Sequence, residues 1–594
     1  MTRNPRIRRR QADAAGSWPD SISPLLRRIY AARGATGIDQ AQPRLAQLLP
    51  PDSLGGLGEA TALLADAIAH DRHIVVVGDF DCDGATACAV GVRGLRMLGA
   101  TRVTPAVPNR MVHGYGLSPG LVAELAGLEP DLLVTVDHGI ACHAGIAAAK
   151  ALGWKVLVTD HHLPGESLPS ADAIVNPNLR GDAFPSKMLA GVGVMFYVLL
   201  ALRKKLRDGG VPANGEPDLS RLLDLVAVGT IADLVPLDVN NRALVGAGLR
   251  RLRAGRGCAG LQALIQVSGR EAARLTAADI GFAVAPRLNA AGRLEDMAIG
   301  IECLLSDDPT RAGELAQVLH GINAERRGVQ QQMVDEAEVA LARLGDTEAQ
   351  APIALCLFDC EWHPGVVGLV ASKIKEKLHR PVIAFAPSEP GGSSLRGSAR
   401  SIPGLHIRDA LANVDSAHPG LIGKFGGHAM AAGLSLEESD FDRFHAAFRE
   451  QVEAMMNPAM LHAELLSDGE LSADEFIADN AEALRNGGPW GQGHGEPLFD
   501  GVFEVIDWRV VGERHLKLVL RVGDRREPLN AIQFGGWHER EPESRLRLAY
   551  RLVPDDYRGG NAIQLIVEHR EAVAPSFTTL ESEQWPQPAR VPTS

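Results

Sequence analysis

Aromatic side chains are scarce in this 594-residue chain, at 5% of its residues, so any stacking on flat ligands must rest on a few positions. Cysteine is scarce as well: Cys82, Cys88, Cys142, Cys258, Cys303, Cys356 and Cys360 are odd in number, scattered and never spaced as CxxC. That excludes a disulfide framework and a zinc knuckle and reads as reduced thiols, with Cys356 and Cys360 expected in core packing. No stretch approaches the roughly 18 uninterrupted apolar residues of a membrane helix, so no membrane partner is expected. The basic start, Arg3, Arg6, Arg8, Arg9 and Arg10 before the first acid at Asp13, is not followed by an apolar core. A secretory signal is thereby excluded and a cytoplasmic address expected; the arginines read as a solvated disordered tail, with a transit peptide or a nucleic-acid contact as other readings. An excess of basic charge is also lacking. The formal net charge of −13 argues against a polyanionic partner, except where clustered acids are neutralised by bound cations.

What the chain does contain is enough apolar material, 45%, for roughly three or four domains of ordinary size. From His73 to Asp233 short apolar runs (HIVVVG, DLLVTV, KVLVT) alternate with helical stretches, the pattern of an α/β domain with a parallel sheet buried on both faces. Strand patterns vanish between about residues 240 and 345, and residues 310–344 predict one long helix. A second α/β unit starts with PIALCLF at Pro352, continues through a helix around VVGLVASKIKEKL and a strand PVIAFA, and closes near FGGHAMAAG. Residues 467–571 offer five short strand-like runs, which predict a small barrel. Residues beyond Val573 read as a disordered tail.

Chemistry concentrates at the ends of the apolar runs. In VVVGDFDCDGA, Asp79, Asp81 and Asp83 alternate; in extended chain they share one face, where like charges repel unless cations intervene. Gly84 then reads as a tight turn, and Ala85-Thr86 as the opening of a helix whose free amides hold a phosphate oxygen. The next apolar run ends in Asp137 and the one after it in Asp160-His161-His162, so three strands deliver ligating groups to one sheet edge. Asp233, in AVGTIADLVPL, is an acid in apolar surroundings that needs a cation or a partner. Carboxylates mixed with imidazole suit Mn²⁺ and admit Mg²⁺. Five acids and two histidines are enough for two cations sharing a carboxylate, the arrangement of phosphoryl hydrolysis.

Together with VPNRMVHGYGLS, FPSKMLAGVGV, APRLNAAGR, WHPGVVGLVASKI, RGSARSI and FGGHAMAAG, in that order, these residues resemble the DHH phosphoesterase superfamily and within it the RecJ family, over about residues 55–570. The resemblance implies an α/β fold made of a parallel-sheet DHH domain (51–240), a helical connector (241–348), a smaller α/β DHH-associated domain (349–460) and an OB-fold β-barrel (461–572). Residues 1–50 would be a partly disordered N-terminal extension and 573–594 a disordered tail. It implies two divalent cations held by Asp81, Asp83, Asp137, His161 and Asp233, with Asp137 shared. Asp79 matches a family acid that binds metal or supports a ligand, and His162 would sit beside the scissile phosphate as hydrogen-bond donor or proton source. Ser398, Arg400 and Arg110 resemble the residues that grip a 5′-phosphate. Arg287, Asn289 and Arg293, in a Pro/Gly-punctuated stretch, would meet the following phosphates, and Gly426, Gly427 and His428 would admit a phosphate closely. A tight packing turn leading into a helix of small residues is the other reading of that glycine pair.

Tyr115, Trp362 and Phe425 are the rings available for stacking, with core packing favoured for Phe425. His138 departs from the family pattern, where a smaller or neutral residue is expected; it reads as a hydrogen-bonding support, or as a competitor for metal. The activity implied is 5′-to-3′ hydrolysis of single-stranded DNA to 5′-mononucleotides in repair and recombination. The expected partners are single-stranded DNA, a helicase and a single-strand-binding protein, with the chain a monomer. A phosphodiesterase for short oligonucleotides or cyclic dinucleotides shares the same motifs, and an inactive DNA-binding scaffold is the reading from another class.

Overall fold

The computed structural model describes residues 5–11, 16–110, 112–210, 216–343, 352–389 and 391–573. The chain divides into two compact units. The first holds Gln11–Glu464 and Ala483–Pro497 beside Met1–Arg6; the second holds Ile7–Arg10, Leu465–Glu482 and the chain from Leu498 onward.

The first unit opens with a parallel sheet ordered Val103–Ala106, Ile74–Val77, Leu132–Val136, Lys155–Thr159, Ala173–Val175. Its central strands are apolar at every position because successive side chains feed different cores. Ile74, Val76 and Val134 pack with the helices Cys82–Met97 and Gly191–Asp208, while Val75, Val77 and Leu133 face Leu121, Val122 and Ile146. The chain steps outward from Ile74–Val77 to Val103–Ala106 and then returns to the opposite side of its first strand. Strand order therefore reverses between Ile74–Val77 and Leu132–Val136, and the crevice beyond their carboxyl ends is where such sheets take ligands.

A run of helices follows, from Val239–Arg253 to the 35-residue helix Pro309–Arg343. Within it Arg287, Asn289 and Arg293 lie on the helix Ala285–Leu294, entered through a π-helical turn at Ile280–Val284. The Pro/Gly punctuation does not break the helix: Pro286 occupies its first turn, where the missing N–H costs nothing.

The second sheet of this unit runs Lys424–Gly427, Ala431–Glu437, Ser394–Arg400, Val382–Pro387, Leu355–Phe358. The glycine pair enters an antiparallel hairpin, not a helix, since Ala431–Glu437 pairs with Lys424–Gly427. Gly427 is required there: its φ is 142°, and a Cβ would lie 2.5 Å from the Ala431 carbonyl oxygen. Cys356 is buried in its strand, but Cys360 lies beyond the strand end and is exposed, so only the former packs a core.

The second unit is a closed five-stranded barrel, Phe499–Val511, His515–Arg521, Leu529–Gln533, Ile563–Ala572, Arg545–Pro554, with Leu516, Leu518 and Leu520 turned inward. From Arg6 to Arg10 the basic start is not a free tail. Arg6–Arg9 is a strand, the Arg10 N–H donates to the Ser467 carbonyl at 2.8 Å, and Arg9 forks onto Asp500 with two bonds of 2.9 Å. Part of the expected N-terminal extension is likewise ordered, as the helix Pro24–Ala31 capped by Ser23. The tail from residue 574 lies outside the described residues. Among the described residues no helix is long and apolar enough to cross a membrane.

Candidate active site

The acidic loop after Ile74–Val77 is not extended throughout. Asp81 caps the helix Cys82–Met97, accepting the Gly84 N–H at 2.9 Å, and Asp83 stands in its first turn. The three aspartates converge because the chain turns into a helix, not because they alternate on a strand. Gly84 serves close approach, since a Cβ there would lie 2.4 Å from the Asp79 nitrogen. The helix amides expected to await a phosphate are partly taken, Gly84 by Asp81 and Cys82 by the Asn289 side-chain oxygen at 2.8 Å.

Asp83 is buried and held by a second helix: the N–H groups of Gly191 and Val192, opening Gly191–Asp208, donate to its two oxygens at 2.7 and 3.0 Å. Here lies the local meaning of Gly191 in LAGVGV and of Gly229 in AVGTIAD. A Cβ on Gly191 would lie 2.4 Å from Asp137, and one on Gly229 2.7 Å from Asp83.

Asp137 follows its strand with φ 66°, a left-handed conformation that costs a side-chain-bearing residue energy and collects at functional sites. Asp160 does not point at its neighbours' ligand atoms. It is buried and accepts the N–H of Ile140, of His161 and of His162, and the Nδ1 of His162 at 2.8 Å. Burial alone would raise its pKa, but these bonds hold it below the usual carboxylate range. Asp160 thus orients the two histidines. Against the lowering effect of burial, it also pushes His162 up to about 9.

His161 Nε2 lies 3.2 Å from Asp137 Oδ1 and 3.5 Å from Asp233 Oδ2. Its other nitrogen faces the Leu189 backbone, and burial with the neighbouring His162 charge pushes the ring down to about 4. A neutral ring that donates to a carbonyl through Nδ1 presents a bare lone pair at Nε2. Neither His161 Nε2 nor Asp137 Oδ1 has a hydrogen-bond partner, so two buried acceptors face each other, an arrangement that a cation between them satisfies. Asp233 ends the helix Leu223–Ala232 and is only partly buried, unlike the enclosed acid expected from its apolar neighbours. A carboxylate at a helix carboxyl end gains nothing from the helix dipole.

The ligand atoms of Asp83, His161 and Asp233 lie within 4.8 Å of one another, as do those of Asp79, Asp81 and Asp137 and those of Asp137, His161 and His162. Burial and then the charge of Asp81 push Asp79 up to about 8 and Asp83 up to about 7. Asp137 and Asp233 are driven well upward by burial and then by the other aspartates. Such mutual repulsion suits a centre built around positive charge. Oxygen and imidazole donors without a thiol fit Mn²⁺ or Mg²⁺. His138 is fully buried, its Nε2 lies 3.1 Å from the Val77 carbonyl, and it joins none of these ligand groups among the described residues, which fits a support for the first strand end.

Beside the acids lies a cluster of arginines. Arg110 stacks over Phe80 at 4.9 Å. Arg400 bonds Ser398 at 2.9 Å and Ser372 at 3.1 Å and meets the amino end of Val367–Leu378, where a Cβ on Gly368 would lie 2.9 Å from both Arg400 and Ser398. Arg293 donates to the Gly365 carbonyl at 3.2 Å, and burial beside Arg110, Arg400 and Arg326 pushes it down to about 9. Partly buried guanidinium groups that feel one another's charge suit an anion. Arg396, absent from the expected set, shares the face of Ser398 and Arg400 and weighs on Arg110; alternation along that strand was its signal.

Tyr115 lies edge-on to Phe80 and His162 and is exposed. From the second sheet, His428 stacks on His162 at 6.1 Å, and Gly426 beside it is exposed. Three candidates are not brought in. Arg287 is spent on Ala283 and His320 among the connector helices, Trp362 is buried and bonded to Glu336, and Phe425 packs on the core of the second sheet.

Three family models match in chain order: the N-terminal domain of the DHH family at residues 73–230, the DHHA1 domain at 350–454 and the RecJ OB domain at 467–569. The single-stranded-DNA-specific exonuclease RecJ of Dickeya dadantii is 49% identical over 94% of this chain and 98% of its own. That of Escherichia coli is 47% identical over 96% and 99%. RecJ of Thermus thermophilus, solved in complex with Mn²⁺, superposes with a TM-score of 0.77 at 33% identity, over 93% of this chain and 76% of that one. Nearly half of the aligned positions are thus shared with each of these two RecJ proteins over more than nine-tenths of the chain, and the chain belongs to the RecJ family.

Proposed function

We propose that the chain is a single-stranded-DNA-specific exonuclease that works from the 5′ end with two divalent cations, Mn²⁺ or Mg²⁺, and releases 5′-mononucleotides in DNA repair and recombination. The observation that carries this reading is the pair of unsatisfied buried acceptors, Asp137 Oδ1 and His161 Nε2, next to an arginine cluster that feels the same acids. Asp81, Asp83, Asp137, His161 and Asp233 would hold the cations, with Asp79 completing one set. Bound there, the cations would supply an activated water and neutralise charge developing on the phosphoryl oxygens.

The chain's own groups do the rest. Asp160 fixes His162 through Nδ1 and keeps it charged, which leaves Nε2 to act as a proton donor. Arg110, Arg396, Arg400 and Ser398 bind a terminal phosphate dianion, and Arg293 stiffens the floor beneath them. A pocket that closes on a terminal phosphate sets polarity, because an internal phosphodiester carries chain on both sides. The hydrolytic part would occupy residues 51–240, the connector 241–348, the phosphate-gripping part 349–460 and the barrel 461–572, with single-stranded DNA delivered by a helicase and a single-strand-binding protein to a monomer.

The test compares 5′-phosphorylated, 5′-hydroxyl, duplex and dinucleotide substrates with Mn²⁺, labelled at either end. A 5′ label should leave at once as mononucleotide, from single strands only. Early loss of a 3′ label would overturn the polarity, and a preference for the dinucleotide would move the chain to the short-oligonucleotide class.

A further inference from the structure

The turn after Asp233 has reasons to relax outward. Asp233 faces other carboxylates at a helix carboxyl end, and Leu234 is forced to φ 58° with 69% of its surface exposed. Yet the turn is gripped from a segment more than 250 residues away in sequence. The Leu237 N–H donates to the Gln492 carbonyl at 2.8 Å. Gly493 sits so close that a Cβ there would lie 3.3 Å from Pro236, and one on Gly491 would lie 2.8 Å from Leu237.

That segment is itself braced. Trp490 is stacked between Tyr30 at 6.0 Å and His494 at 5.1 Å, with the Arg33 guanidinium 5.3 Å from its ring centre. Arg33 also forks onto the Gly495 carbonyl at 3.0 and 2.7 Å, and the buried Tyr30 hydroxyl donates to the Gly487 carbonyl at 2.8 Å. Arg242 closes the ring of contacts by bonding both the Leu237 and the Gln40 carbonyls. These bonds and stacks link to one another and converge on the stretch Pro236–Leu237, three residues past Asp233.

We infer that Trp490–His494, braced by Tyr30 and Arg33, is a positioning clamp that holds Asp233 in the metal centre against the repulsion of its neighbours. The inference rests on Asp233 being a metal ligand, as proposed above. It makes Trp490, Gly493 and Arg33 positioning residues for the cation that Asp233 shares with Asp83 and His161, while the Asp79, Asp81 and Asp137 set does not depend on them.

The experiment titrates the full-length protein with Mn²⁺ and reads free Mn²⁺ by electron paramagnetic resonance, so that occupancy is counted without turnover. Trp490→Ala should weaken one class of Mn²⁺ site by about tenfold, the usual scale for losing an outer support of a ligand. The other class should not move, and affinity for a fluorescent oligonucleotide in EDTA should stay as in the unaltered chain. Gly493→Ala, which presses on Pro236 from φ 71°, should do the same in a milder form and gives the answer if Trp490→Ala does not fold. Unchanged Mn²⁺ binding, or both classes weakened alike, would overturn the clamp. Asp233→Asn separates the two ideas: if it leaves both classes intact, the ligand assignment itself is wrong.

Discussion

The ring of His162 lies nearly parallel to that of His428, with centroids 6.1 Å apart and planes inclined by 18°. One histidine comes from the loop after a strand of the parallel sheet, the other from the glycine hairpin of the second sheet. Asp160 keeps the first charged up to about pH 9, while burial and then that charge hold the second below its ordinary pKa. Positive charge is therefore favoured on His162 over His428, beside the acids.

His162→Gln removes that proton and leaves the ligand sets built on Asp83 and Asp81 in place. Single-turnover hydrolysis should slow by about 10²–10⁴-fold, the range for a general acid, with oligonucleotide binding in EDTA little changed. An unaltered rate would take His162 out of the chemistry.

Asp137→Asn removes one charge from a crowded, strained position. Hydrolysis should fall by about 10³-fold or more, as when a principal transition-state contact is lost. The metal-free protein should nevertheless melt higher than the unaltered chain, since repulsion is relieved, and should gain less on adding Mn²⁺. A lower metal-free melting point would show that the acids do not strain the apo fold.

Arg400→Ala and Arg396→Ala should each raise KM for 5′-phosphorylated strands by roughly 10–100-fold, the scale of one charge-assisted bond, and shrink the preference over 5′-hydroxyl strands. Arg287→Ala should alter neither, because its guanidinium is bonded among the connector helices. Measuring KM for both strand types across the three variants decides it; a full preference in Arg400→Ala would move the phosphate pocket elsewhere.

In the barrel, the Asp500 carboxylate is buried and receives Arg9, Ser467 and Arg547. Burial would raise its pKa, but these three hold it at about 2. A depressed carboxyl stabilises above its unfolded pKa of about 4 and stops doing so as pH falls through its folded value. Arg9→Met or Asp500→Asn should thus lower the barrel's melting transition at pH 7 by about 4–8 °C for each kcal/mol lost. The gap should close between about pH 4 and pH 2, as followed by scanning calorimetry. A gap that persists at pH 2 would assign the effect to packing.

The strands and their acidic ends were legible because a buried parallel strand must be apolar at every position and must stop where charge begins, as at Val77 and Val136. The barrel was legible from alternation such as that of Leu516, Leu518 and Leu520. What escaped depends on contacts between distant parts of the chain. Nothing local tells that Arg9 has a buried carboxylate waiting 491 residues away, or that Asp160 turns inward to serve His162. Arg287 and Arg293 looked alike because both stand in one Pro/Gly-punctuated stretch, and spacing alone does not say which way each faces. On the helix that actually forms they point to different neighbours, His320 for one and Gly365 for the other.

Residues 483–497 belong to the first unit although barrel chain flanks them on both sides. A shortened enzyme ending near Glu464 therefore loses Trp490 and Gln492 along with the barrel. Any fall in its rate would mix two deficits, a missing barrel and a loosened Asp233 turn. Excising only the strands from Leu498 onward, with the tryptophan-bearing stretch retained, is the cut that isolates what the barrel itself contributes.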